Sequence, residues 1–199
     1  MRILLVGNTG VIGSAVEARL RERGHAVLGA TRTNAERPTD LSDPESIAKA
    51  VDQAGEVDAI ACAAGHAAYG PVGELSGAQY RDSLGNKALG QIELVLRGLH
   101  TLAPAGSFTL ITGVLGTYPV RTSSAASAAN GAVESFVRAA ALEIAPRRIN
   151  AVSPTILAEA SAKAKHLFPG VEPVTASKVA NAYVRSIEGA ETGQIYQLF

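Results

Sequence analysis

The sequence predicts an α/β protein with a doubly wound Rossmann fold: a single domain over residues 1–199, with a parallel sheet of about seven strands and helices on both faces. Three observations predict it. Strand-length apolar runs alternate with longer segments of helical period, the rhythm of successive βαβ units. Most of these runs are apolar throughout, as strands covered on both faces must be. A glycine-rich turn separates the first run from the first helical segment.

Taken in order, "RILLVG" (2–7) is the first strand and "VIGSAVEARLRERG" (11–24) the first helix. "HAVLGAT" (25–31) is the second strand. A helix over 43–54 starts at "SDPESI", where Ser42 or Asp43 can cap, Pro44 suits the first turn and Glu45 completes a possible capping box. "VDAIACA" (57–63) is a strand, followed by a helical segment over 74–103. Within that segment Gly85 and Gly90 flank Asn86, each glycine costing up to ~1 kcal/mol relative to alanine in a helix. Either a local kink or bulge serves a site there, or a well-packed helix tolerates weak residues. "SFTLIT" (107–112) and "RRINAVS" (147–153) are strands around a helix over 123–145. Residues 154–174 break the rhythm, and their Pro, Gly and Lys content predicts a mobile excursion over the site or a solvated face. A helix over 175–188 and the strand "GQIYQLF" (193–199) complete the pattern, leaving no C-terminal extension to act as a lid.

Composition excludes several classes. With 18 Lys+Arg against 18 Asp+Glu, no global field favours a nucleic acid or an acidic membrane surface, and neither partner is expected. The single cysteine, Cys62, excludes an intramolecular disulfide and a cysteine-based zinc cluster, and no metal is expected. It reads as a small core residue. No signal-peptide pattern follows Met1, and no apolar run approaches the ~20 residues of a membrane span. A soluble, cytoplasmic protein is the expectation.

The stretch "VGNTGVIG" places Gly7, Gly10 and Gly13 three apart, with Asn8, Thr9, Val11 and Ile12 completing the turn. Glycines there permit the tight turn, let backbone N–H groups approach a pyrophosphate and let the helix pack closely on the strand. The end of the second strand then selects the dinucleotide. An acid would bond the adenosine ribose and repel a 2′-phosphate, whereas an arginine attracts it. The sequence has Thr31, Arg32 and Thr33 there and no acid before Glu36, favouring NADP(H) over NAD(H). The alternative reading makes Arg32 an ordinary surface cation.

With these residues in view, the chain resembles the short-chain dehydrogenase/reductase family almost end to end. Asp40 in "TDLSD" is similar to the family's adenine-binding aspartate, with Leu41 beside it on the ring. "CAAG" (62–65) resembles the family's Asn-Asn-Ala-Gly turn, keeping Ala64 and Gly65 but with Cys62 and Ala63 replacing both asparagines. "RINAVSPT" (148–155) resembles the strand and turn that close over the nicotinamide, with Thr155 where glycine is usual and Pro154 and Ile156 on either side. Asn86 matches the asparagine that holds a water in the catalytic proton relay.

The resemblance implies transfer of hydride between the nicotinamide and a small carbonyl or alcohol. The family uses a serine that binds the substrate oxygen, a tyrosine that moves its proton, and a lysine four residues on. That lysine lowers the phenol's pKa and grips the nicotinamide ribose. Aligning "ITGVLG" puts Thr112 and Gly113 at the family's pair of serines, and the gap-free match of the following helix puts Ala126 at the tyrosine and Asn130 at the lysine. Asn86, Thr112 and Asn130 remain as a non-standard relay, with neutral groups at Ser124 and Ser127. Tyr69, Tyr118 and His66 are candidate substitutes for the missing acid. Lys87 adjoins Asn86, but neighbouring helix residues do not point the same way, so it is not expected to replace the lysine. Lys163, Lys165 and His166 are the only charges of note in the excursion that bear on substrate choice. Alanines crowd the helix over 123–145; the resemblance implies a homo-oligomer, dimer or tetramer, packed there, although packing on the sheet also demands small residues. Two functions stand: an NADP(H)-dependent oxidoreductase, or a catalytically inactive NADP(H)-binding protein that regulates or binds a partner.

Overall fold

The computed structural model describes residues 1–199 and contains one parallel sheet of six strands, one fewer than expected. The strands are β1 (Arg2–Val6), β2 (Ala26–Ala30), β3 (Val57–Cys62), β4 (Leu102–Ile111), β5 (Arg148–Pro154) and β6 (Ile195–Leu198), in the order β2-β1-β3-β4-β5-β6. The six strand-length runs of the sequence all form strands, and the connection after β2 adds none. The stretch "RTNAERPTDLSD" lacks an apolar run, and Pro38 has no N–H to give a ladder, so only an isolated Thr31–Pro38 bridge remains.

The helices are α1 (Val11–Glu22), α2 (Pro44–Ala54), α3 (Gly77–Ser83), α4 (Gly90–Gly98), α5 (Ser124–Glu143), α6 (Ala162–Lys165) and α7 (Ala176–Glu188). α1 and α7 pack together, while α2, α4 and α5 form the other layer. Ile3, Leu4, Leu5, Ile60, Phe108, Leu110 and Ile149 are fully buried between the layers, as the uniformly apolar strands require. Tyr183 of α7 is buried with them, and its hydroxyl donates to the Cys62 carbonyl at 2.6 Å. Burial pushes the Cys62 thiol up to about 11, which fits a core residue rather than a nucleophile. At the far end of the α1–α7 pair, Glu188 accepts from Arg23 and bonds His25, which holds its carboxyl down to about 2.

Three local expectations are refined. Asp43, not Ser42, caps α2 by accepting the Glu45 N–H at 3.0 Å; the reciprocal capping box lies instead at α3, between Ser76 and Gln79. β4 begins at Leu102, inside the span read as the end of a helix over 74–103, and its pairing with β3 jumps from Val57–Leu102 to Ala59–Ser107, so the intervening residues bulge out. The segment read as one helix over 74–103 is α3, a π-helical turn over Leu84–Leu89, and α4. The bulge reading of Gly85 and Gly90 therefore holds. A Cβ on Gly90 would lie 2.2 Å from the Leu41 carbonyl oxygen, so glycine is what lets α4 approach that backbone.

Candidate active site

β1 and β3 are neighbours, and β2 lies on the other side of β1, so the chain reverses direction across the sheet at β1–β3. Nucleotide sites in such sheets form at this point, beyond the carboxyl ends of the strands. Gly7 follows β1 with φ +86°, and its N–H donates to the Ala30 carbonyl at 2.7 Å. A Cβ on Gly13 would lie 2.0 Å from the Gly7 oxygen, so the first turn of α1 packs against the loop only because Gly13 has no side chain. Gly10 precedes α1 with no side-chain cap, and the first turn carries no acid. The free N–H groups and the positive end of the helix dipole therefore face outward, a geometry that suits a phosphate.

Beside this turn lies a cleft of about 300 Å³, lined by Gly7, Thr9, Gly10, Thr31, Arg32, Asp40, Leu41, Ala63, Ala64 and Gly65. His66 and Asn86 also line it, as do Val6 and Thr39, which sequence reasoning did not single out. Arg32 is exposed and forms no ion pair or side-chain hydrogen bond, whereas nearby Arg37 pairs with Glu36 at 2.8 Å. Asp40 spends one oxygen on the Ser42 N–H at 2.9 Å. Four residues of the expected set do not line either cavity. Asn8 is held by Glu17 and packs over Gly29; Val11 faces solvent; Gly13 is buried under the turn; Thr33 lies on the exposed side of the connection.

A second cavity, of about 640 Å³, continues from Gly65 toward the ends of β4 and β5. It brings together Ile12, Thr112, Asn130, Pro154, Thr155 and Ile156 of the expected residues, along with Gly113 and Ala126. Val114, Leu115, Leu157 and Phe168 give it an apolar wall. The segment 154–174 does reach over the site, fastened by a Leu157–Val174 bridge. Of its charges, Lys163 lines the cavity, Lys165 donates to the Ala158 carbonyl at 2.6 Å, and His166 stays outside.

The proposed relay is only partly assembled. Asn86 does not line the larger cavity: its Oδ1 accepts the His66 N–H at 2.9 Å and its Nδ2 donates to Ser42 Oγ at 2.9 Å. Thr112 lines it, but the hydroxyl donates to Glu134 Oε1 at 3.1 Å. Asn130 donates to the Gly113 carbonyl at 3.2 Å, which leaves its buried Oδ1 without a partner. Thr155 Oγ1 is likewise buried and unpartnered. Both residues line the cavity, and a buried polar atom without a partner is a group that an added water or ligand would satisfy if the wall shifted to expose it.

Ser124 is bonded to the Tyr80 hydroxyl and Ser127 to Ser123, and neither lines the cavity. Tyr118 lies outside, edge-on to Phe199 with ring centroids 5.4 Å apart. Tyr69 stands at the rim, half exposed, with desolvation holding its phenol above the ordinary value. His66 lines both cavities, with Nε2 3.0 Å from Asp82.

Lys87 lines the larger cavity, which the sequence did not indicate. Asn86 and Lys87 do point apart, as neighbours should, but it is Lys87 that enters the larger cavity while Asn86 turns to Ser42. The π turn sets this rotation, and Gln91 fixes it: its fully buried amide donates to the Lys87 and Ile111 carbonyls and accepts the Ile111 N–H. Desolvation lowers the Lys87 pKa. Glu134, also missed, is 3% exposed and accepts from both Thr112 and Ser153, tying the ends of β4 and β5 to α5. A signal was present: an acid one helical turn beyond Asn130, between Val133 and Val137 on an otherwise apolar stripe.

A family model described as enoyl-(acyl carrier protein) reductase matches residues 7–194. Among solved structures, the protein lin1944 from Listeria innocua is 42% identical, with all of both chains covered and a TM-score of 0.96. A small-chain dehydrogenase in complex with NADPH is 25% identical over 99% of this chain and 95% of its own, with a TM-score of 0.89. No curated protein matches the chain. No helix is long and apolar enough to cross a membrane. The extent of these matches, on a sheet whose glycine turn and two adjoining cavities lie at the reversal point, establishes that the chain belongs to the short-chain dehydrogenase/reductase family.

Proposed function

We propose that the protein is an NADP(H)-dependent oxidoreductase that transfers hydride to or from a small carbonyl or alcohol, with a proton relay that does without the family's tyrosine and lysine. The observation that carries the cofactor choice is Arg32, unpaired beside a glycine turn that has no acid at the end of β2. A 2′-phosphate would give this guanidinium its partner, and the NADPH complex of the relative at 25% identity supports the same choice. The dinucleotide's adenosine end fits the smaller cleft, and its nicotinamide end, which supplies or accepts the hydride when bound, fits the mouth of the larger cavity. In the proposed relay Asn130 Oδ1 and Thr155 Oγ1 orient ligand or water, and Thr112, held by Glu134, shapes the floor. The apolar wall suits a substrate with a hydrocarbon body and excludes water from it.

Fluorescence titration of wild type and Arg32→Ala with NADPH and NADH tests the cofactor reading. The substitution is expected to weaken NADPH about tenfold and leave NADH unchanged, the loss of one charge-assisted contact to phosphate. Equal effects on both dinucleotides would remove the case for NADP(H).

The second reading, an NADP(H)-binding protein without turnover, is favoured by Ala126 and Asn130 standing where the family has tyrosine and lysine. Consumption of NADPH by any member of a carbonyl panel would exclude it. On either reading the protein is a cytoplasmic homo-oligomer. Ala125, Ala126 and Ala129 are consumed in its own core, but Ala128, Ala132, Ala139 and the 86%-exposed Leu142 leave a face of α5 for a second copy.

A further inference from the structure

Lys87 is the one cation in the larger cavity that comes from a rigid part of the fold. Its side chain lies over Gly65, where a Cβ would meet its Cγ at 3.2 Å, and lines the same cavity as Ala126, Asn130 and Thr155. It forms no salt bridge, and its Nζ has no hydrogen-bond partner in the protein, although each of the other well-placed cations near the site is either paired or exposed. No carboxylate lines the cavity. A partly buried ammonium without a counter-charge is costly, and a fold retains one where a ligand completes it. The backbone that carries it is a π turn, pinned by the buried Gln91 to the end of β4. Asn130 and Thr155, which line the same cavity, each carry a buried polar atom, Oδ1 and Oγ1, without a hydrogen-bond partner.

We propose that Lys87 supplies the cation of the nicotinamide end of the site: its ammonium, delivered from the π turn rather than from α5, holds the nicotinamide half of the bound dinucleotide in place of the lysine that Asn130 replaces. This rests on the NADP(H) reading above. The base of the side chain, from Cα to Cγ, packs on Gly65, so less of it has to be reordered when the contact forms, and desolvation, which lowers the amine's pKa, makes the contact titrate earlier than a surface lysine would.

Several other titratable groups surround Lys87, which is why the pH test below is run beside the Lys87→Met variant. Cys62 beneath it is a neutral thiol at neutral pH; α5 presents Ala126 and Asn130; Tyr69 and Lys163 stand at the rim, and His66 is paired with Asp82.

The test compares NADPH with 2′,5′-ADP, which has the adenosine end and 2′-phosphate but no nicotinamide half. Lys87→Met should weaken NADPH by about tenfold or more while leaving 2′,5′-ADP within about twofold, the latter also certifying that the variant is folded. For wild type, NADPH affinity should fall as pH rises through the lysine's pKa, because the neutral amine no longer attracts the ligand. 2′,5′-ADP should show no such fall, and Lys87→Met should lose the slope. An unchanged NADPH affinity in the variant, or an equal loss for both ligands, would overturn the assignment. Failure of wild type to bind either ligand would instead overturn the cofactor reading on which the assignment stands.

Discussion

Gly13→Ala is expected to destabilise the protein by about 3 kcal/mol and to abolish measurable NADPH binding, because the added Cβ would be placed 2.0 Å from the Gly7 oxygen and 2.9 Å from Asn8 Cα. Both neighbours are backbone, so no side chain can swing aside; the loop or the helix must move. Moving either displaces the N–H groups that face the phosphate site. Gly10→Ala is the control. Gly10 has φ −75°, and a Cβ there would lie 3.6 Å from the Gly7 oxygen, an ordinary contact. Its methyl would enter the cleft that Gly10 lines, so stability should change by less than about 1 kcal/mol while NADPH affinity drops. Urea unfolding and NADPH titration of both variants separate the two effects. Equal stability losses would show that the whole loop is merely tight, rather than closed specifically at Gly13.

Glu134→Ala should cost about 3 kcal/mol in urea unfolding at neutral pH, since two hydrogen bonds to a buried carboxylate disappear together. Thr112 and Ser153, both nearly inaccessible, would lose their shared acceptor, although Thr112 has a weaker alternative in the Val152 carbonyl at 3.4 Å. Glu134→Gln keeps an acceptor oxygen and should lose only about 1 kcal/mol. The residue does not line the cavity, yet it fixes the two strand ends that do, so the alanine variant should also weaken NADPH. Matching losses in the two variants would point to packing volume rather than to the carboxylate bonds.

Much of this site was legible in the sequence because its elements are local. The glycine turn, Arg32 after the second strand and "RINAVSPT" each occupy one short stretch, where conformational need and chain position coincide. The alternating rhythm gave the sheet and its helices for a similar reason, since strand and helix periods are properties of adjacent residues. The expected count of about seven strands was not local information at all: the sequence contains six strand-length runs, all of which form strands, and the seventh came from fold precedent.

Helix rotation was what sequence could not supply. Gly85 and Gly90 announced a bulge, but not which of Asn86 and Lys87 it would turn into the cavity; that depends on α4 packing against the Leu41 backbone, so closely that a Cβ on Gly90 would clash with it, and on Gln91 reaching β4. The Glu134 clamp joins β4, β5 and α5, whose residues are 19 and 22 positions apart in sequence, so no short motif encodes it. Sequence by itself thus determined the family, the sheet and the glycine turn, all of which are set by neighbouring residues. Only the tertiary structure decided which side chains share the cavity, because that choice is made by packing between elements distant in the chain.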